Sequence, residues 1–229
     1  MRRLSAVLFD MDGLLIDTEP VWTVAEVELA TSLGGVFTDE LKAAIVGTRL
    51  EVAVPTILTW YDAPADPASV ARTSAWLLGR MVELFGEPPV VLPGVLDLLG
   101  GLRADGVPVA LVSSSYRVLV DAVLSHGIGP FDVTVAGDEV AHGKPHAEPY
   151  LTACDRLGVD PARCVVLEDS PAGVASGEAA GCAVVAVPSV AGVVFGPARG
   201  RLVRDSLAGV TVEDLMALVG RASRTGLSR

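Results

Sequence analysis

The 229-residue chain predicts an α/β fold: a doubly wound parallel sheet with an all-helical domain inserted after its first strand. Three observations carry that prediction. Short apolar runs alternate with helical patterns, as strands buried on both faces of a parallel sheet require. Gly106, Gly158 and Gly181 each stand where a helix needs a left-handed terminus before the next apolar run. Finally, about ninety residues separate the first apolar run from the second, far more than one helical crossover uses.

In chain order, the first strand is Ser5–Asp10. Residues 20–34, 39–60 and 67–86 have helical composition and no convincing strand, so they form the insertion. The Pro-rich return "GEPPVVLPG" reads as a hinge back into the sheet. Helix Val95–Asp105 precedes strand Val107–Ser113, and helix Arg117–Ser125 precedes strand Asp132–Ala136. Helix Glu148–Leu157, strand Cys164–Glu168, helix Ala172–Ala180 and strand Ala183–Val187 complete the alternation, with helix Val212–Val219 after them. These elements assign residues 1–16 and 90–229 to the core and residues 17–89 to the insertion. The uncharged stretch Ala179–Ala198 contains Gly181, Pro188, Gly192, Gly196 and Pro197, which suits a buried strand and loop rather than a membrane helix.

Composition narrows the partners. Hydrophobic residues make up 51% of the chain, enough for a sizeable core. A formal net charge of −11 disfavours nucleic acid or an anionic membrane, while a small anion held by local cations stays open. The three cysteines, an odd number without CxxC spacing, read as reduced, buried thiols of a cytoplasmic protein rather than disulfides or a zinc site. Met1-Arg2-Arg3 before Leu4–Phe9 starts like a secretory signal, but the apolar run ends at Asp10, too soon. "RASRTGLSR" reads as a frayed basic tail, and a monomer is expected.

Ligands of a doubly wound sheet bind beyond the carboxyl ends of its strands. Asp10 and Asp12 follow the first strand, Ser113, Ser114 and Ser115 the second. The third leads to Lys144, one of only two lysines, and the fourth to Glu168, Asp169 and Ser170. Carboxylates so close together need positive charge between them. The residue types suit phosphoryl transfer to an aspartate. Asp10 and Asp169, with the backbone carbonyl of Asp12 and Glu168 behind them, form a candidate Mg²⁺ site. Lys144, Ser113 and the backbone N–H groups of the 113–115 loop, Ser114 included, are placed to hold phosphate oxygens. Asp10 is the candidate nucleophile and Asp12 the candidate acid and base.

"DMDGLLIDTE", "LVSSS", "GKP" and "VLEDSPAG" together resemble, in order and spacing, the four motifs of the haloacid dehalogenase superfamily. The resemblance spans the chain and is nearest to the β-phosphoglucomutase-like branch, which also contains sugar-phosphate phosphatases. It implies a Rossmann-like core, a helical C1 cap at residues 17–89 that closes over the core to exclude water, and the roles given above for Asp10, Asp12, Ser113, Lys144 and Asp169. The mutases carry a cap histidine where this chain has Trp22, and a cap lysine that residues 43–143 lack. "GTRLEVAV", with Arg49 two residues after Gly47, is similar instead to a G-x-R pattern of hexose-phosphate phosphatases. The resemblance therefore implies a phosphatase acting on a small phosphorylated metabolite. A phosphosugar mutase is the alternative, and a non-catalytic phosphometabolite-binding protein the alternative of another class. The family's K-P-x-P-D run reads Lys144-Pro145-His146-Ala147-Glu148 here, leaving the role of Glu148 open.

Other candidates have plainer readings. Trp22 lines a substrate pocket or fills the insertion's core. Arg49 and Arg117 grip substrate or decorate helix ends. His142 and His146 flank Lys144 at i, i+4 spacing, but Pro145 between them and the lack of a nearby third ligand make them exposed loop histidines.

Overall fold

A computed structural model describes residues 4–46, 48–189 and 192–222. Gly47, the first three residues and the tail from Ser223 onward, on which some of the expectations above rest, lie outside them.

The chain opens with strand β1 (Ala6–Phe9) and the two-residue strand β2 (Ile16–Asp17). Helices α1 (Glu19–Ser32), α2 (Asp39–Ile45), α3 (Leu50–Trp60) and α4 (Pro67–Leu84) follow. Strand β3 (Val90–Val91) leads into α5 (Val95–Ala104), β4 (Val109–Val112), α6 (Arg117–Leu124) and β5 (Val133–Val135). Then come α7 (Glu148–Leu157), β6 (Cys164–Glu168), α8 (Pro171–Ala179), β7 (Ala183–Ala186), β8 (Arg201–Val203) and α9 (Val212–Ala222). Two compact units result. One is built on the residues up to Asp17, on Val90–Arg117 and on the chain from Gly127 onward; the other on Thr18–Pro89 and Val118–His126.

In the first unit a six-stranded parallel sheet runs in the order β5-β4-β1-β6-β7-β8. Every residue of β1, β4, β6 and β7 is buried, which explains their unbroken apolar runs. Val7 of β1 pairs with Val109 of β4 on one side and with Val165 of β6 on the other. The chain order reverses at β1, the position where a doubly wound sheet opens a crevice. Gly106, Gly158 and Gly181 all have positive φ, as their places after helices demand.

Ala6 and Leu8 pack with Val112, Tyr150, Val166 and Val184 in one core layer. Cys154, Cys164 and Cys182, scattered in sequence, share that layer as free buried thiols, Cys154 Sγ lying 3.9 Å from Cys164 Sγ. Two features escape the sequence patterns. The short β8 lies among Gly, Pro and Arg residues that mask its alternation. The segment expected as a hinge holds β3, which pairs antiparallel with β2 through Ile16–Val91 and Asp17–Val90.

In the second unit the helical span 39–60 is two helices, α2 and α3. The Thr38 side chain caps α2 by accepting the Leu41 N–H. Leu29, Leu41, Ile45 and Ile57 form a buried cluster. The second lysine, Lys42, bridges Glu19 at 2.8 Å and Glu26 at 2.9 Å, so its charge serves the helices. Among the described residues no helix is long and apolar enough to cross a membrane.

Depth within one helix gives a test. Ile57 of α3 is 1% exposed and Val52 54%. Ile57→Ala lowers unfolding free energy by about 2–5 kcal/mol, whereas Val52→Ala stays within about 0.5 kcal/mol, as read by urea denaturation.

Candidate active site

The carboxyl ends of β1, β4 and β6 meet at one side chain. Lys144 Nζ donates to Asp10 Oδ1 at 2.5 Å, to Glu168 Oε1 at 2.6 Å and to the Val112 carbonyl at 2.9 Å. All three ammonium hydrogens are thereby used, in a side chain only 4% exposed. Asp10 follows β1 directly, Val112 ends β4 and Glu168 ends β6, so one cation ties three strand ends together. Lys144 arrives from the long loop between β5 and α7. Glu148 shapes that loop by accepting the N–H groups of Ala141 at 2.7 Å and His142 at 3.0 Å, which settles its structural part.

Glu168 is the best-held anion of the group. Its Oε1 accepts from Lys144 and, at 2.7 Å, from the Tyr150 hydroxyl. Its Oε2 accepts from the Asp169 N–H, the Ser170 N–H and the Ser170 hydroxyl. These five hydrogen bonds hold it in place between Lys144 and Asp169. Tyr150 is fully buried, and the Lys144 Nζ sits 5.0 Å from its ring centroid. Burial and the Glu168 charge push its phenol up, so it serves as a neutral donor.

Asp12, two residues beyond Asp10, accepts at Oδ2 from the hydroxyls of Ser113 (3.0 Å) and Ser115 (2.9 Å). The Ser113 oxygen also accepts the Ser115 N–H at 2.9 Å. The serine expected on phosphate thus also orients the Asp12 carboxylate, and Ser114 is exposed beside it. Asp169 is 8% exposed and accepts a hydrogen bond from the Ser189 hydroxyl. Gly13, at φ +81°, lies so close to Asp169 that an added Cβ would overlap its carboxylate. A side chain at position 13 would therefore displace a group of the site.

The electrostatics follow from burial. Removal from water pushes Asp10 up, the Glu168, Asp169 and Asp12 charges add to that, and Lys144 opposes them. Burial disfavours the Lys144 charge, yet Asp10 and Glu168 outweigh it and hold the ammonium protonated. Burial and then Glu168 push Asp169 up to about 7. Four carboxylates thus share one ammonium. Ligand oxygens of Asp10, Glu168 and Asp169 lie within 4.8 Å of one another. With Glu168 saturated, Asp10 and Asp169 are the carboxylates suited to a divalent cation, and an all-oxygen, anionic donor set fits a hard ion.

Of the remaining candidates, Arg117 lies in the first unit, and Trp22 and Arg49 lie in the second. Arg117 is held by Glu139 of the segment between β5 and α7, its Nε at 2.8 Å from Oε1, and its N–H donates to Asp138 of the same segment. Trp22 and Arg49 belong to the helical unit and are half-buried there, Arg49 Nε lying 3.8 Å from Glu51 Oε2. Tyr150 and Ser189 are additions to the expected set, and the Ser115 hydroxyl, from the expected serine loop, takes up Asp12. Ser189 follows β7, and extending the strand-end rule to that strand would have found it. Tyr150 lies inside a helix and carries no sequence signal.

Residues 4–181 match the family model of haloacid dehalogenase-like hydrolases, and the chain belongs to that family. It is 34% identical over 193 residues to Hexitol phosphatase B of Escherichia coli, covering 82% of this chain and 85% of the relative. It is 33% identical over 180 residues to the Phosphorylated carbohydrates phosphatase of Thermotoga maritima, covering 78% and 82% of the two chains. The crystal structure of CbbY from Rhodobacter sphaeroides in complex with phosphate superposes with a TM-score of 0.81 at 27% identity, over 93% of this chain and 99% of that one.

A carboxylate raised on folding destabilises the protein as pH climbs through its folded value. For Asp169 that loss runs from its ordinary value of 3.8 to about 7. In metal-free buffer Asp169→Asn therefore melts at least about 2 °C above wild type at pH 8, with the gap closing toward pH 4, as differential scanning calorimetry reads it.

Proposed function

We propose that this hydrolase is a Mg²⁺-dependent phosphatase of the cytoplasm, which transfers the phosphoryl group of a small phosphomonoester, a sugar or sugar-alcohol phosphate, to Asp10 and then to water. The observation that carries this reading is the buried Lys144 bridge to Asp10, with Asp12 held two residues away by Ser113 and Ser115. The relatives named for phosphatase activity on hexitols and phosphorylated carbohydrates support the substrate class. The three free thiols support a reducing compartment.

When bound by Asp10, Asp169 and the Asp12 carbonyl, Mg²⁺ supplies charge neutralisation for the carboxylates and the phosphate dianion. The chain's own groups do the rest. Lys144 fixes Oδ1 of Asp10, and within the 113–115 loop the Ser114 N–H is the backbone donor for a phosphate oxygen, since the Ser113 N–H donates to the Val135 carbonyl and the Ser115 N–H to the Ser113 hydroxyl. The Asp10 carboxylate attacks phosphorus as the ester P–O bond breaks, and protonated Asp12 gives its proton to the departing alcohol. Asp12 then takes a proton from water, whose oxygen attacks phosphorus. The Asp10–phosphorus bond breaks, restoring the carboxylate and releasing phosphate. Residues 17–89 act as the selectivity cap, with Trp22 and Arg49 as its candidate substrate residues.

A panel of sugar, sugar-alcohol and nucleotide monophosphates tests the reading by phosphate release. Turnover requires Mg²⁺, stops with chelator, and falls at least about a thousandfold in Asp10→Asn. Asp12→Asn loses about 10²–10⁴-fold. Arg49→Ala raises KM severalfold with kcat nearly unchanged. Phosphate release that survives Asp10→Asn contradicts the proposal, as does isomerisation of a sugar phosphate without release.

A further inference from the structure

From the sequence, His142 and His146 lack a third ligand; the folded loop supplies one. Glu148, the first residue of α7, turns back and is pinned by two backbone N–H groups, those of Ala141 and His142. Its Oε2 lies 2.8 Å from His142 Nδ1 and 3.9 Å from His146 Nδ1. The two rings sit side by side, their centroids 4.7 Å apart. One ligand atom from each of the three residues falls within 4.8 Å of the other two. The histidine side chains are 68% and 57% exposed, so an ion reaches them directly from solvent. The chain's third histidine, His126, is engaged elsewhere, at 2.6 Å from the Phe85 carbonyl.

We propose that His142, His146 and Glu148 form a surface site for a borderline divalent transition metal, represented by Zn²⁺. Two imidazoles and a carboxylate are the donors such ions prefer, whereas Mg²⁺ selects oxygen. This chemistry separates the site from the buried carboxylates of Asp10 and Asp169. Three protein ligands leave a fourth position to water. Zinc bonds of about 2.0–2.1 Å put ligand atoms roughly 3.3 Å apart, so small side-chain rotations close the set. The ion displaces the proton between His142 Nδ1 and Glu148 Oε2, which in a neutral ring passes to Nε2. It also replaces the long 3.2 Å hydrogen bond that His146 Nδ1 accepts from the Glu148 N–H. The backbone clasp on Glu148 is untouched and holds the third ligand in place. Because Lys144 lies between the two histidines, occupancy staples the segment that delivers the buried ammonium.

Calorimetric titration of Zn²⁺ into the full chain, with Mg²⁺ in excess, tests the site independently of the phosphatase reading. One Zn²⁺ binds per chain. His142→Ala and His146→Ala each weaken it at least about tenfold, while Asp169→Asn keeps it. Protection from diethyl pyrocarbonate, mapped by peptide mass spectrometry on the unsubstituted chain, locates the ion without relying on a variant's folding: Zn²⁺ shields His142 and His146 and leaves His126 unaffected. Binding that persists in both histidine variants, that is lost in Asp169→Asn, or that is absent from the wild-type chain overturns the proposal. So does a lack of shielding at His142 and His146.

Discussion

The ammonium of Lys144, buried between Asp10 and Glu168, is the interaction on which the site depends. Removing one partner of such a buried pair costs about 3–5 kcal/mol, because the charge left behind has no water to replace it. Here the cost is compounded, since four carboxylates converge and only one lysine answers them. The Val112 carbonyl takes the third ammonium hydrogen, so the same cation also registers the ends of β1, β4 and β6. Charge balance and strand geometry are therefore one constraint rather than two.

Sheet topology creates this arrangement. The reversal of strand order at β1 makes β4 and β6 its two neighbours, so groups from positions 10, 113 and 168 become adjacent although far apart in sequence. Four carboxylates against one ammonium leave a buried excess of negative charge, and ligand oxygens of Asp10, Glu168 and Asp169 lie close enough together to hold a cation between them. Glu168, saturated by five donors, holds its neighbours in place. Burial pushes the Asp10 and Asp169 carboxyls upward, and the neighbouring carboxylates add to the push.

Much of this was legible in the residues. The alternation of apolar runs and glycine-terminated helices marked the parallel strands, with Cys164–Glu168 and Glu148–Leu157 matching residue for residue. The strand-end rule pointed to Asp10, Asp12, Ser113, Lys144 and Asp169, which the fold gathers at the carboxyl ends of the strands. What stayed hidden depended on three-dimensional proximity. Tyr150 reaches Glu168 from a helix interior, and Ser115 shares Asp12 with Ser113 through a turn. Arg117 bonds to Glu139, 22 residues further along the chain. The pairing of β2 with β3 joins the two ends of the long helical excursion, which no local pattern encodes. Glu148 likewise reveals its double use, as loop clasp and histidine neighbour, only when the loop closes.

The central claim is that Asp10, poised by Lys144, takes the phosphoryl group covalently. Rapid acid quench of Asp12→Ala with an aryl phosphomonoester, whose leaving group needs no proton, followed by borohydride reduction and peptide mass spectrometry, reads this directly. The account predicts an acyl phosphate that accumulates at Asp10 alone, because the base that activates water for its hydrolysis is gone. A quenched enzyme that turns substrate over yet carries no phosphate on Asp10, or carries it on another residue, would contradict the account.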